Sequence, residues 1–387
     1  MIRDHYDLVI VGGGQVGMAL ALALRDSGLS VLLLEARDFP AQSNDLRPLA
    51  LSHGSRLILQ RLGVWDMLPS VTPITTIHVS NRGSFGRTVM TAAELHVPAL
   101  GYVVNHHDVF RAMHAMLGKE DMTCLTGVKV TKTGREGEFG QVTCQHGGAE
   151  KQITAKLVVI ADGGKLAGQV EGISAHVHDY GQHAVVANLR TGLPQSGTAY
   201  ERFTAEGPIA LLPVGEYFSM VWTVAPAAAE TIIRLDEAAF LTKLHAHFGD
   251  RLGRFAAAGP RSAFPLSLKY VRPVTAYSTV LIGNAAQTLH PVAGQGFNLG
   301  LRDAWELSCE ILVAPSETGK PAMLERYRDR RRLDSNGGRV FTDTLVRLFS
   351  NENSLLQGAL GLGLNALGCL PPARRFVARR MMFGARG

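Results

Sequence analysis

The apolar positions of the chain fall into two kinds of pattern. Near the N-terminus they form short unbroken runs at residues 6–11 and 30–34, with a helix-like segment at 18–24 between them. Unbroken runs of this length suit strands buried on both faces, as in a parallel sheet. Residues 157–160 and 279–282 have the same character, and 109–117 reads as a helix. Across 184–224 the pattern changes to short alternating segments (184–189, 199–203, 209–213 and 218–224), the signature of an antiparallel sheet with one covered face. An amphipathic helix follows at 236–248, with Phe240, Leu241, Leu244 and Phe248 at helical spacing. Residues 74–79 also alternate and belong with that second layer.

The two patterns interleave. They predict an α/β fold in which a Rossmann-like nucleotide-binding domain (1–72, 100–175 and 273–336) is interrupted by an antiparallel-sheet domain (73–99 and 176–272). A C-terminal helical segment with a basic tail (337–387) completes the chain. Clefts between interleaved domains are favoured ligand sites.

Between the first two strands lies Gly12-Gly13-Gly14-Gln15-Val16-Gly17, and the second strand ends in Glu35. A G-x-G-x-x-G between strand and helix, with an acid about 20 residues on, is the dinucleotide fingerprint. Gly12 makes the tight turn, Gly14 admits a pyrophosphate, Gly17 lets helix and strand pack closely, and Glu35 binds ribose hydroxyls. A second match at 361–366 lacks both a preceding strand pattern and a ribose acid. The chain therefore has one convincing nucleotide domain, not two.

A second candidate region runs from the apolar strand at 280–282 through Gly283 and Asn284, then His290, Pro291, Gly294, Gln295, Gly296, Phe297, Asn298 and Leu299, to Arg302 and Asp303. Its glycines let main chain approach a flat ligand. The helix that follows aims backbone N–H groups and its positive dipole end at negative charge. Asp162-Gly163, at the end of the 157–160 strand, is either a ligand contact or a turn. Arg47 is either a phosphate or ring contact or a surface cation. His290 is either a general base or a histidine hydrogen-bonded within its loop.

Composition narrows the rest. With 387 residues and 46% hydrophobic content the chain can bury cores for two modules. A formal charge of +6 suits anionic cofactors or an anionic membrane surface, and is too dispersed for nucleic acid. Cys124, Cys144, Cys309 and Cys369 are far apart and read as reduced core thiols of a cytoplasmic protein. The acids at the N-terminus argue against a signal peptide. No metal site, nucleophile elbow or Walker loop is found. The tail after Pro372 carries Arg374, Arg375, Arg379, Arg380 and Arg386 without acids. It reads as a helix packed on the protein, a contact with a membrane surface or partner, or a disordered end.

With these pieces placed, the chain resembles the class A flavoprotein aromatic hydroxylases, and within them the FAD-dependent hydroxylases of ubiquinone biosynthesis, over almost its whole length. The resemblance rests on Gly12 to Gly17 with Glu35, Asp45-x-Arg47-x-x-Ala50-Leu51, and Thr75-Thr76-Ile77-His78-Val79-Ser80. It continues through Tyr180-Gly181-Gln182, Glu201-Arg202-Phe203-Thr204 with Gly207-Pro208, and Arg261-Ser262-Ala263-Phe264-Pro265-Leu266. Above all it rests on Gly283-Asn284-Ala285-Ala286-Gln287-Thr288-Leu289-His290-Pro291 through Arg302-Asp303.

The resemblance implies a fold like that of p-hydroxybenzoate hydroxylase. It implies bound FAD, NADPH or NADH as transient co-substrate, and O₂ delivered through a flavin C4a-hydroperoxide to the ring of a polyprenylated phenol. Gly12, Gly14, Gln15, Val16, Gly17 and Glu35 would take the ADP half of FAD, Arg47 the cofactor, and Asp162 and Gly163 the region shared with the nicotinamide path. Gly283, Asn284, Pro291 and the 294–299 segment would hold the ribityl chain and ring. Most flavin hydroxylases carry Asp after this glycine. Asn284 keeps an acceptor for a ribityl hydroxyl without the charge. The branch acting on 2-polyprenyl-6-methoxyphenol carries Asn and Gln at the positions of Asn284 and Gln287, so the departure favours that branch. Contacts with a ubiquinone-biosynthesis assembly and with the inner face of the membrane are also implied. Rival readings are a hydroxylase for another ring position or a soluble aromatic acid, a prenyl reductase, and a non-catalytic FAD-binding subunit.

Overall fold

A computed structural model describes residues 3–38, 48–82, 86–118, 122–204, 206–349 and 354–385. Arg47 and Asp45 lie outside the described residues.

The unbroken apolar runs form the middle of an eight-stranded sheet. His5–Val11 pairs in parallel with Val31–Leu34 on one side and with Ala149–Ile160 on the other, and Thr279–Leu281 extends the sheet beyond Ala149–Ile160. Leu8, Val9 and Ile10 are inaccessible to solvent. Helices Gln15–Ala23, His106–Leu117 and Gln295–Val313 cover one face of this sheet through Met18, Met113 and Leu301. The antiparallel hairpin Lys129–Glu136 and Phe139–His146 contributes Val130 and Val142 to the core on the other face.

The alternating segments form a nine-stranded sheet that runs from Gln287–Thr288 to Arg87–Thr91. Two expectations are corrected here. The strand expected at 184–189 spans Ser174–Thr191, because its polar first half pairs with Ser262–Arg272 through a bulge at Asp179/Gln182. The sheet is also not wholly antiparallel: Thr198–Phe203 runs parallel to Thr76–Asn81. Those two strands come from distant parts of the chain, so no hairpin dictates their direction. Trp222, Phe218 and Val185 on one face pack against Phe240, Leu244 and Phe248 of helix Glu237–Phe248, which Asp236 caps by accepting from the Ala239 N–H at 2.8 Å. The other face looks toward the nucleotide-binding side.

A three-stranded sheet of Pro48–Ser52, Gly101–Asn105 and Thr72–Ile74 lies between the two. The next strand, Thr76–Asn81, belongs to the large sheet. Helix Pro321–Phe349 carries Gly337 and Gly338 in its interior, and Gly338 lets the helix approach Leu299. Ser354–Cys369 and Pro371–Phe383 follow as helices. Among the described residues, no helix is long and apolar enough to cross a membrane. All four cysteines are unpaired, and Cys369 is exposed, not a core thiol.

Candidate functional site

A cleft of about 950 Å³ opens at the carboxyl ends of the parallel strands. Gly12, Gly14, Gln15, Val16, Glu35, Asp162, Gly163, Gly283, Asn284, Pro291, Gly294, Gly296 and Phe297 all line it.

The glycines show why the sequence needs them. Gly12 has φ +113°, and a β-carbon there would lie 2.5 Å from the Ala161 carbonyl oxygen. At Gly17 it would lie 2.0 Å from the Gly12 carbonyl oxygen. At Gly14, Gly163 and Gly296 it would meet nothing within 4 Å. The first two glycines close the βαβ crossing, and the others leave room for a ligand against bare main chain. Glu35 accepts from the Gly13 N–H at 2.7 Å and the Arg37 N–H at 3.1 Å, which fixes its carboxylate at the rim with acceptor capacity to spare. Arg37, Lys129 and Lys165 add positive charge around the opening.

Side chain and main chain divide the work differently from the expectation. The Gln15 amide donates to the His106 carbonyl at 3.1 Å. Val16 packs against Gly283 and Gly300, pressing the first helix onto the second candidate region. Asp162 accepts from the Gly164 and Leu166 N–H groups, each at 2.8 Å, so the turn reading accounts for its carboxylate while the residue still faces the cleft. Asn284 sits exposed in the short 3₁₀ turn Gly283–Ala285. The Gly283 N–H donates to Asp303 at 3.0 Å.

The loop before helix Gln295–Val313 is held by Asn298. Its Oδ1 accepts from the Ser52 N–H at 2.8 Å and the Ser55 hydroxyl at 2.7 Å, and its Nδ2 donates to the Ala50 and Gly294 carbonyls, both at 2.8 Å. The amide is therefore fully engaged by protein and fastens the loop to strand Pro48–Ser52. Leu299 is buried with Leu268 and Leu289 and does not line the cleft. Neither residue offers a side chain to a cofactor. What the segment can offer is the first-turn N–H groups of the helix, which have no acceptor within it.

His290 lines neither this cleft nor the cavity described next. It is 1% exposed, its Nδ1 accepts from the Val292 N–H at 3.2 Å, and its ring stands edge-on to Tyr180. Burial pulls it down to about 4, so it is neutral near pH 7. This arrangement fits the loop-fixing reading.

A separate apolar cavity of about 260 Å³ meets the cleft at Ala50, Leu212, Val221, Pro291 and Gly294. Ile77, Val79, Met90 and Phe203 of the large sheet form one wall. Leu364, Leu367, Val377, Ala378, Met381 and Met382 of the last two helices form another. Among its described lining residues only Glu201 carries a formal charge near neutral pH, and Tyr200 adds a phenol. The sequence had not assigned that helical wall or the cleft-lining stretch Val128 to Thr131. The signals were the helical spacing of Val377, Ala378, Met381 and Met382, and the hairpin alternation around Gly137.

A dinucleotide cleft of this chemistry, meeting an apolar chamber at a glycine-rich ring loop, defines an FAD-dependent monooxygenase. Residues 5–336 match the FAD binding domain family, and the chain belongs to it. It is 34% identical to ubiquinone hydroxylase UbiL of Rhodospirillum rubrum, covering 97% of this chain and 89% of the relative. It is 33% identical to the 3-demethoxyubiquinol 3-hydroxylase of Escherichia coli, covering 95% of each. The p-nitrophenol 4-monooxygenase PnpA of Pseudomonas putida shares the fold, with a TM-score of 0.78 at 17% identity over the full length of both chains.

Proposed function

We propose that the protein hydroxylates the aromatic ring of a polyprenylated phenol in ubiquinone biosynthesis, with 2-polyprenyl-6-methoxyphenol as substrate and NADPH or NADH as reductant. The observation that carries this reading is the apolar chamber beside the dinucleotide cleft, walled by aliphatic and methionine side chains with one carboxylate. A phenol with a hydrocarbon tail fits such walls, whereas a soluble aromatic acid calls for a cationic partner that the described lining lacks. The choice of ring position rests on Asn284 and Gln287.

Bound FAD, once reduced, supplies an oxygen atom drawn from O₂. Gly12, Gly14, Val16 and Glu35 would hold its ADP half, with Gly17 allowing the close helix–strand packing behind them and Gln15 securing the loop. Gly283, Asn284, Pro291 and the main chain of 294–299 hold the ribityl chain and ring. The first-turn N–H groups of the helix would stabilise negative charge on a ring bound there. Asn298 keeps that turn in place, and the chamber walls orient the phenol and exclude water.

The C-terminal helix exposes Phe376, Arg375, Arg379 and Arg380, with Leu370 at its start. Apolar and basic groups side by side suit contact with an anionic membrane surface, from which a prenylated substrate would be drawn. Deletion after Pro372 should lower membrane association, and unchanged association would remove that part of the reading.

Purified protein carrying FAD should consume O₂ in step with NADPH and yield a hydroxylated ring when given a prenylated methoxyphenol. Oxygen-independent NADPH oxidation with loss of an alkene would identify a reductase instead. FAD that no candidate substrate allows NADPH to reduce would identify a non-catalytic subunit.

A further inference from the structure

The motif Glu201-Arg202-Phe203-Thr204 is only half used by the chamber. Glu201 and Phe203 face it, while Arg202 points to the opposite side of the sheet. There Arg202 stands in one row with Ser80 and Arg87, its neighbours in register across strands Thr198–Phe203, Thr76–Asn81 and Arg87–Thr91. Helix Glu237–Phe248 ends before it covers this edge. The loop after it brings Arg251, whose Nη1 donates to the Ser80 hydroxyl at 3.4 Å, and Gly249 lies against the Arg202 guanidinium. Arg82 follows the strand that carries Ser80, and His78 and His247 border the group.

Among the described residues, none of Arg82, Arg87, Arg202 and Arg251 has an acidic partner at ion-pair distance. The nearby carboxylates face the histidines and lie outside ion-pair distance of these arginines: Asp250 lies 2.8 Å from His245, and Glu206, 67% exposed, lies 3.6 Å from His247. The Arg202 Nε is buried without a hydrogen-bond partner. Burial, then Arg251 and Arg82, pull the Arg202 guanidinium below its ordinary range. Burial, aided by Arg251, Arg87 and Arg202 at His78 and by Arg82, Arg202 and Lys243 at His247, holds both histidines down to about 4. A half-buried guanidinium among like charges is unfavourable unless an anion joins it.

We propose that Arg82, Arg87, Arg202 and Arg251 form a binding site for a phosphoryl group on the outer face of the large sheet. Planar guanidiniums from two strands, the turn after a third and a loop match the oxygens of a phosphate mono- or diester, each able to take paired N–H donors. The ligand is either a phospholipid headgroup or a free phosphate compound. The site is independent of the ring-hydroxylating reaction and distinct from the arginines of the C-terminal helix.

The test compares the FAD-loaded protein with Arg202→Gln and Arg251→Gln by thermal unfolding, in inorganic phosphate and in chloride at equal ionic strength. Phosphate should raise the midpoint of the unmodified protein more than that of either variant, since its general salting effect is common to all three. In chloride Arg251→Gln, at an exposed position, should unfold no earlier than the unmodified chain, because it relieves like-charge repulsion. Co-sedimentation with phosphatidylglycerol vesicles, against phosphatidylcholine vesicles, then identifies the source. A headgroup site predicts about tenfold weaker vesicle binding for the Arg82→Gln/Arg251→Gln double variant with the tail intact. A free-phosphate site predicts loss of the phosphate-specific stabilisation with vesicle binding unchanged. Equal phosphate shifts in all three proteins together with unchanged vesicle binding would overturn the proposal. So would an Arg251→Gln variant destabilised in chloride with its phosphate shift intact.

Discussion

At the residue scale, the fingerprint glycines and Asn298 carry the clearest consequences. Gly17→Ala would drive a β-carbon into the Gly12 carbonyl, so it should purify with little FAD, judged by the absorbance ratio of flavin to protein. Asn298→Leu should leave the Ser52 N–H and the Ala50 and Gly294 carbonyls without their partner, lowering stability by about 3 kcal/mol. Its flavin should also be held more loosely, which a flavin-release assay measures. The sequence had marked the segment but not the mechanism: a side chain saturated by its own protein cannot be told from a ligand by residue type alone. Asp162 gives the same lesson, since its two backbone acceptor bonds were one of two readings that Asp-Gly allows. His290 shows the limit differently, because it is buried and a loop sequence does not reveal burial.

Three histidines also set a pH dependence. His78, His247 and His290 are each held down to about 4, burial being the largest cause in every case. Below their ordinary value of 6.5 the unfolded chain takes up protons that the folded chain does not, so this contribution to stability is complete above about pH 6.5 and declines toward pH 4. Urea unfolding should therefore show a lower midpoint at pH 5 than at pH 7. His290→Gln should show a smaller difference between the two.

At the element scale, the βαβ opening was legible because fully buried parallel strands leave unbroken apolar runs. Strand Ser174–Thr191 was half legible, since its exposed first half, with His176 and His178, carries no apolar alternation. The last helices were illegible as a chamber wall because glycines at 358, 361, 363 and 368 obscure their period, and the wall exists only by tertiary contact. Gly86 and Gly361 explain some of those glycines: a β-carbon at Gly86 would lie 2.4 Å from the Gly361 Cα. Filling the wall with Ala378→Phe should raise the KM for a prenylated phenol severalfold while leaving FAD content unchanged. Removal of the chain after Leu370 should open the chamber and uncouple the reaction, read as more NADPH consumed per hydroxylated product.

At the scale of the whole molecule, a buried ionic relay ties the flavin loop to the end of the chain. Asp303 accepts from Gly283 and, at 2.7 Å, from Arg331; Arg331 and Arg302 both donate to Asp334, at 2.6 and 2.8 Å, and Asp334 accepts from the Ala385 N–H at 3.1 Å. Burial raises the Asp303 carboxyl, and Arg331 and the Gly283 N–H oppose that rise. Burial likewise lowers Arg331, but Asp303 and Asp334 more than offset it and keep it charged. Breaking one member leaves buried charge unpaired, so Asp334→Asn should cost on the order of 3 kcal/mol in denaturant unfolding. The architecture therefore joins cofactor cleft, chamber and terminal helices into one unit.

The most direct test of the central claim is the quinone precursor that accumulates in cells lacking this protein. Accumulation of 2-polyprenyl-6-methoxyphenol, reversed by the intact chain but not by Gly17→Ala, is the predicted result; unchanged quinone levels with no accumulated precursor would contradict it.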